Sequence, residues 1–324
     1  MLTLNQLSDK VSEYFNAEQF TGNPQQLFDP IAYTLAQGGK RIRPLLLLAA
    51  NDLFGGDIEQ ARYAAIGIET FHNFTLLHDD LMDKSPVRRG KPTVYVKWDQ
   101  NTAILSGDAM NILAFQYFLK TPHRNLHEIL QTFQQTSMEI CQGQQYDMNF
   151  EKRDDVTIPE YMEMIRLKTA VLLGGALKIG ALYAEAAPSD TDAIYNFGIN
   201  IGLAFQLRDD LLDAYGTLET FGKQPGTDIK DNKKTILFLK ALQKGSPAQR
   251  QQLNALFATT PDDPTQKIKQ VLDIYAQLDI RKEVETSIAE LHNNAMKNLD
   301  SISRPESDKQ PLQQIANKLL NRLI

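Results

Sequence analysis

Two short stretches of this sequence crowd carboxylates at one repeated spacing: Asp79-Asp80-Leu81-Met82-Asp83 and Asp209-Asp210-Leu211-Leu212-Asp213. Each closes a segment of helical periodicity. From Gln60 to Asp83 the pattern recurs at three and four through Ala64, Ala65, Ile68, Phe71, Thr75 and Leu76. From Asp192 to Asp213 it runs through Ile194, Phe197, Ile201, Ala204, Phe205, Leu207 and Leu211. Residues four apart on an α-helix differ by about 40° around the axis, so Asp79 stacks with Asp83 and Asp209 with Asp213. Carboxylates so placed repel each other unless a cation lies between them. An all-oxygen donor set suits a hard ion such as magnesium, which keeps waters and takes phosphate oxygens beside one or two carboxylates. One such segment alone also reads as an acidic, solvated helix end; two with the same spacing are harder to read that way. His72, nearly two turns before Asp79, returns to about the same face, and Gln206 falls within about 60° of Asp209. Singly, each of these two also reads as a satisfied polar residue in a core.

The cations are unevenly placed. Lys40, Arg41 and Arg43 sit together, as do Arg88, Arg89 and Lys91, in a chain of net charge −6 and pI near 5.5. Two tight cationic clusters in an acidic protein suit a small anionic ligand, with a solvated charged loop as the alternative for either cluster alone. The overall balance argues against a general nucleic-acid binder. Cys141 is the single cysteine, which rules out an intramolecular disulfide and fits a reducing cytoplasm. The N-terminus has no basic start and no continuous apolar stretch, so no signal peptide is expected. The most apolar segment, Ala170 to Ala187, is interrupted by Lys178 and falls short of a membrane span.

Helical patterns dominate the rest. Thr157-Ile158-Pro159-Glu160 has capping-box spacing ahead of a helix expected over Tyr161 to Ala187. Val94-Tyr95-Val96 is the only strand-like stretch, too short to build a sheet. Loops are expected at Gly55 to Asp57, Lys84 to Pro92, Thr217 to Lys233, Thr259 to Thr265 and Ser303 to Pro311. With no linker, low-complexity tract or short repeat, residues 1–324 read as one all-α domain of about ten helices.

The paired aspartate-rich segments resemble the two acidic motifs of the trans-isoprenyl diphosphate synthases, or polyprenyl synthetases. The likeness runs from Gly38-Gly39-Lys40-Arg41-Ile42-Arg43-Pro44 to about Lys234. It takes in Leu77-His78, Arg88-Arg89-Gly90-Lys91-Pro92-Thr93, Lys168-Thr169, Phe205-Gln206, Phe221-Gly222-Lys223 and Asp231-Asn232-Lys233. That resemblance implies the isoprenoid synthase bundle, long helices around a central cavity, and usually a homodimer. It implies head-to-tail (1'-4) condensation of isopentenyl diphosphate with dimethylallyl, geranyl or farnesyl diphosphate, with release of pyrophosphate. By the same resemblance Asp79, Asp83, Asp209 and Asp213 would hold magnesium, three ions with substrate bound, with Asp210 in or near that shell. Lys168, Lys223, Lys233 and Arg88 would contact the allylic diphosphate, while Thr169 and Gln206 would turn oxygens toward the allylic cation. Lys40, Arg43, His72 and Arg89 match the isopentenyl-diphosphate site. Phe74, five residues before Asp79, matches the position where a large aromatic limits product length, and Phe71 could be a further wall. A product of fifteen to twenty carbons, farnesyl or geranylgeranyl diphosphate, is expected.

Two other readings are set beside this one. A class I terpene cyclase shares an acidic first motif, but its second metal motif normally mixes Asn or Asp with Ser/Thr and Glu, and it has no need of Lys40, Arg43 and Arg89. A non-catalytic regulatory subunit of a prenyl synthase tends to lose its acidic motifs, and both are intact here.

Overall fold

Capping residues set the helix starts. Thr3 and Gln6 form a capping box ahead of α1 (Leu4–Ala17), and Asp57 caps α4 (Ile58–Met82) by accepting from the amide of Glu59. Between them lie α2 (Gln25–Ala36) and α3 (Ile42–Leu53). Asp99 caps α6 (Gln100–Leu119), which follows the one-turn α5 (Val94–Lys97). Thereafter come α7 (Leu126–Glu151), α8 (Ile158–Ile165), a π-helical turn (Arg166–Ala170), α9 (Val171–Tyr183) and α10 (Pro188–Tyr215). The chain continues through α11 (Thr227–Lys230), α12 (Ile236–Lys244), α13 (Pro247–Phe257), α14 (Thr265–Gln277), α15 (Ile280–Asp300) and α16 (Glu306–Asn321). This computed structural model describes residues 1–216 and 225–321. The all-α class is as expected.

Contacts divide the chain into two compact units. The first comprises Met1–Gln134, Gly175–Ile194 and Ile302–Ile315. In it α3 is buried nearly all round, with Leu46, Leu47 and Leu48 fully enclosed, and it packs against α4, which packs in turn on α6. A helix apolar on every side belongs at the centre of such a unit. The second unit comprises Gln135–Gly174, Tyr195–Ser301 and the chain from Ala316. Its core takes Tyr161, Ile165, Leu207 and Leu211 from α8 and α10, and Ile236, Leu253, Val271 and Val284 from α12 to α15.

Four local expectations are corrected. Val94 to Val96 is a helical turn: the amides of Val96 and Lys97 bond the Thr93 carbonyl, which satisfies the backbone locally without a neighbouring strand. The strands lie in the preceding loop, where β1 (Val87–Arg88) pairs antiparallel with β2 (Lys91–Pro92) across Arg89 and Gly90, at φ 52° and 73°. The helix expected over Tyr161 to Ala187 is interrupted by the π-helical turn and stops at Tyr183. Pro311 stands inside α16, where it forfeits a single helical hydrogen bond.

Candidate active site

In the first unit, the hairpin turn sends two adjacent arginines to different partners. Arg88 fastens on Asp80: its Nε and Nη2 are both 2.7 Å from Oδ1, and Nη2 is 3.8 Å from Asp79 Oδ2. Arg89 donates instead to the carbonyl of Gly38. Gly39, against which the Arg89 guanidinium packs, has a φ of 131°, a conformation that favours glycine. Arg43 lies in the first turn of α3, and the exposed Lys40 precedes that helix. Facing them from α4 is His72, whose pKa is driven well below the usual histidine value by burial and then by Arg43, Arg89 and Arg88. Burial brings Arg43 down to about 10. The result is a cationic set around a neutral imidazole, suited to an anion that accepts both ionic and neutral hydrogen bonds.

The last turn of α4 carries the first acidic motif. Asp83 is the exposed C-cap, its amide 2.8 Å from the Asp79 carbonyl, and Asp79 is half-buried. Asp80 is buried; burial lifts it to about 6, against the pull of Arg88. Among the described residues no three His, Cys, Asp or Glu side chains gather into a cage for a metal. Two carboxylates one turn apart fit instead a hard cation that fills its shell with water and phosphate oxygens.

Phe74 and Phe71 lie along the same helix. Phe71 is core, its ring 5.1 Å from Phe133 and 5.4 Å from Phe74. Phe74 is half-buried against the core cluster that includes Ile31, Leu35 and Leu77, and its ring lies 4.8 Å from that of His78.

In the second unit a cavity of about 140 Å³ collects Lys168, Thr169, Gln206, Asp210 and Lys233. Lys168 and Thr169 sit on the π-helical turn, a distortion that often marks functional sites. Two glycines seat it: a Cβ at Gly143 of α7 would lie 2.7 Å from Lys168 Cα, and one at Gly202 of α10 2.6 Å from Ala170 Cα. Lys168 Nζ bonds Asp147 at 2.6 Å. Thr169 Oγ1 donates to Gln206 Oε1 at 3.1 Å, and Gln206 Nε2 donates to Asp210 Oδ1 at 3.2 Å. The Tyr161 hydroxyl donates to the other oxygen of Asp210. This chain aims the Gln206 amide oxygen toward Thr169. Burial, and then Asp228, push Asp210 up to about 8, while the bonds from Tyr161 and Gln206 oppose the rise.

Asp209 is half-buried, but Asp213 is buried and accepts from the amide of Asp228 at 2.9 Å, capping α11. Lys223 lies outside the described residues. The sequence reading missed Asp147, Tyr161 and Asp228, all of which line this cavity. None shares a local spacing with its partner; Asp147 and Lys168 are 21 residues apart.

Residues 24–275 match the polyprenyl synthetase family. The chain belongs to that family. A geranylfarnesyl diphosphate synthase of Natronomonas pharaonis is 35% identical over 335 residues, covering 98% of this chain and 94% of that protein. A crystal structure of a geranylgeranyl pyrophosphate synthase superposes with a TM-score of 0.94 at 42% identity, over 99% of both chains. A polyprenyl synthase of Caulobacter crescentus, solved with calcium and isoprenyl diphosphate, gives a TM-score of 0.86 at 26% identity, over 98% of this chain and 94% of that one. This polyprenyl synthetase is therefore a prenyltransferase of the all-α isoprenoid synthase fold, whose family takes isopentenyl and allylic diphosphates and binds diphosphate through divalent metal. No helix among the described residues is long and apolar enough to cross a membrane.

Proposed function

We propose that this polyprenyl synthetase condenses isopentenyl diphosphate with allylic diphosphates to a short trans-prenyl diphosphate, farnesyl or geranylgeranyl, and releases pyrophosphate. One observation carries the reading: beside its first acidic motif the chain gathers Arg43, Arg89 and neutral His72 into a cationic set. An enzyme with one diphosphate substrate has no use for a second anion site; one with two does.

The allylic carbon–oxygen bond breaks as pyrophosphate leaves with the electron pair. The double bond of isopentenyl diphosphate then attacks the allylic carbon, and a proton departs, with the released pyrophosphate as the base. Lys168, Lys233 and Arg88 would neutralise the leaving diphosphate, as would Lys223. Thr169 and Gln206 would present oxygens to the allylic cation, with Asp210 and Tyr161 fixing the amide. Asp79, Asp83 and Asp209 would hold magnesium, with Asp213 beside them. When bound, three such ions would supply positive charge to the diphosphate oxygens. Lys40, Arg43, His72 and Arg89 would orient the second substrate.

Phe74, half-buried beside Phe71, would close the path of the growing chain. A homodimer is part of the proposal. On α6, Leu105, Ile112 and Leu119 recur every seven residues and are 61%, 60% and 55% exposed, an apolar seam that suits the same helix of a second copy. A cytoplasmic setting fits the lone Cys141. Incubation with labelled isopentenyl diphosphate and dimethylallyl, geranyl or farnesyl diphosphate, followed by chromatography of the dephosphorylated products, tests the reading. No elongation of any of the three would overturn it.

A further inference from the structure

Helix α4 carries a buried carboxylate that neither acidic motif includes. Glu69 stands eleven residues before Asp80, and eleven helical steps return to within about 20° of the same direction. With Asn73 between them, the three form one stripe, at 3%, 3% and 5% exposure. Asp80, at one end, holds Arg88. At the other end Asn73 Nδ2 donates to Glu69 Oε1 at 3.3 Å and to the Glu69 carbonyl at 2.8 Å. The second oxygen, Oε2, is buried without a hydrogen-bond partner, and so is the Nε of Arg43. An unpaired buried carboxylate oxygen is rare and costly, and it needs a reason.

The charges around Glu69 supply one. Burial raises its pKa, and Arg43, Arg89 and Arg41 oppose that rise. Glu69 in turn supports the charge of each of the three, while Arg89 and Arg43 repel each other. Like-charged guanidinium groups do not stay together in a partly buried site without a counter-charge. We propose that Glu69 is a positioning residue of the isopentenyl-diphosphate site, a buried negative charge shared by Arg43, Arg89 and Arg41 that keeps them gathered before the diphosphate arrives. It acts through the arginines and touches no substrate. The two carboxylates of the stripe thereby divide the Arg88-Arg89 pair, Asp80 taking one and Glu69 facing the other. This inference rests on the reading of Lys40, Arg43, His72 and Arg89 as that site.

The test uses isopentenyl diphosphate alone, titrated calorimetrically into the full chain with a chelator and no allylic partner, so that no turnover occurs. Michaelis constants for both substrates are measured in parallel. Glu69→Gln keeps the shape and removes the charge; it should weaken isopentenyl diphosphate about tenfold, raise its Michaelis constant equally, and leave that of the allylic substrate within about twofold. Glu69→Asp keeps the charge on a shorter stem and should fall between wild type and Glu69→Gln. If Glu69→Gln folds poorly, Glu69→Asp carries the test, with a loss for isopentenyl diphosphate and none for the allylic substrate. Unchanged or tighter binding would overturn the proposal, because Glu69 would then be idle or would oppose the anion. Equal rises in both Michaelis constants would overturn it too, as the mark of a merely structural role. Arg43→Ala separates the levels: if it leaves binding intact, the site reading falls and this inference with it. If it weakens binding while Glu69→Gln does not, the inference alone falls.

Discussion

Replacing Gly143 with alanine should disable the cavity of the second unit without replacing any residue that lines it. The added Cβ would lie closest to the Lys168 amide nitrogen and 2.7 Å from Lys168 Cα, whereas ordinary contact begins near 3.4 Å. Both obstacles are backbone, so neither yields as the tip of a flexible side chain does. The π-helical turn must then retreat from α7 by roughly 1 Å, an overpacking worth about 1–3 kcal/mol of stability. Lys168 and Thr169 move with it, stretching the 2.6 Å bond to Asp147 and the 3.1 Å bond to Gln206. A displacement approaching 1 Å in positioned groups costs on the order of 10²-fold in rate. Turnover at saturating concentrations of both substrates should therefore fall roughly 30- to 100-fold. Calorimetric titration of isopentenyl diphosphate alone should stay close to wild type, since the cationic set belongs to the other unit. Gly202→Ala, with its Cβ 2.6 Å from Ala170 Cα, should behave alike. A folded Gly143→Ala variant with wild-type turnover would refute the argument that glycine aims this turn.

Asp79→Ala and Asp209→Ala should each lower turnover by orders of magnitude with circular dichroism unchanged, and a chelator should do the same to wild type until magnesium is restored. Arg43→Ala should chiefly raise the Michaelis constant for isopentenyl diphosphate, and Lys233→Ala that for the allylic substrate, each by about 1.5–3 kcal/mol of lost binding. Equal effects on both substrates would count against separate sites. Phe74→Ala should lengthen the product by at least one five-carbon unit, because each unit adds burial of roughly 4 kcal/mol, at about 0.8 per carbon, once the ring is gone. Chromatography of dephosphorylated products reads this directly, and an unchanged product would return Phe74 to ordinary packing.

The legible parts of the sequence were those written in local periodicity. The helices that carry the two acidic motifs, and the buried positions Ala64, Ala65, Ile68 and Phe71 and Ile194, Phe197, Ile201, Ala204, Leu207 and Leu211, lie where the spacing puts them, because side chains three and four apart share a face. The Thr157 capping box was legible for the same reason. Partners distant along the chain were not. Nothing near Lys168 points to Asp147, and nothing near Asp210 points to Tyr161, 49 residues earlier. The π-helical turn is invisible in pattern because one extra residue per turn hardly disturbs a hydrophobic run. Val94 to Val96 misled because β-branched residues were weighed without asking where their amides would bond. Glu69 had a local signal, since it shares the stripe of Asn73 and Asp80, but a single glutamate draws less notice than a doubled aspartate.

The first unit sets its charges against its own helices. Peptide dipoles give a helix about half a positive charge at its start and half a negative charge at its end. Yet α3 begins beside Lys40, Arg41 and Arg43, with no acid in its first turn, and α4 ends in Asp79, Asp80 and Asp83, with no base in its last. Each arrangement destabilises its helix by a few tenths to about 1 kcal/mol per charge. Each is corrected by the matching ion, an anion at one end and a cation at the other. Ligand binding and folding are therefore coupled at both ends. Inorganic pyrophosphate with magnesium, though it undergoes no reaction, should raise the melting temperature, by about 2.7 kcal/mol of stability at a hundredfold excess over Kd. Each ion alone should give part of that rise, and the variant Asp83→Asn should melt higher than wild type when no ligand is present.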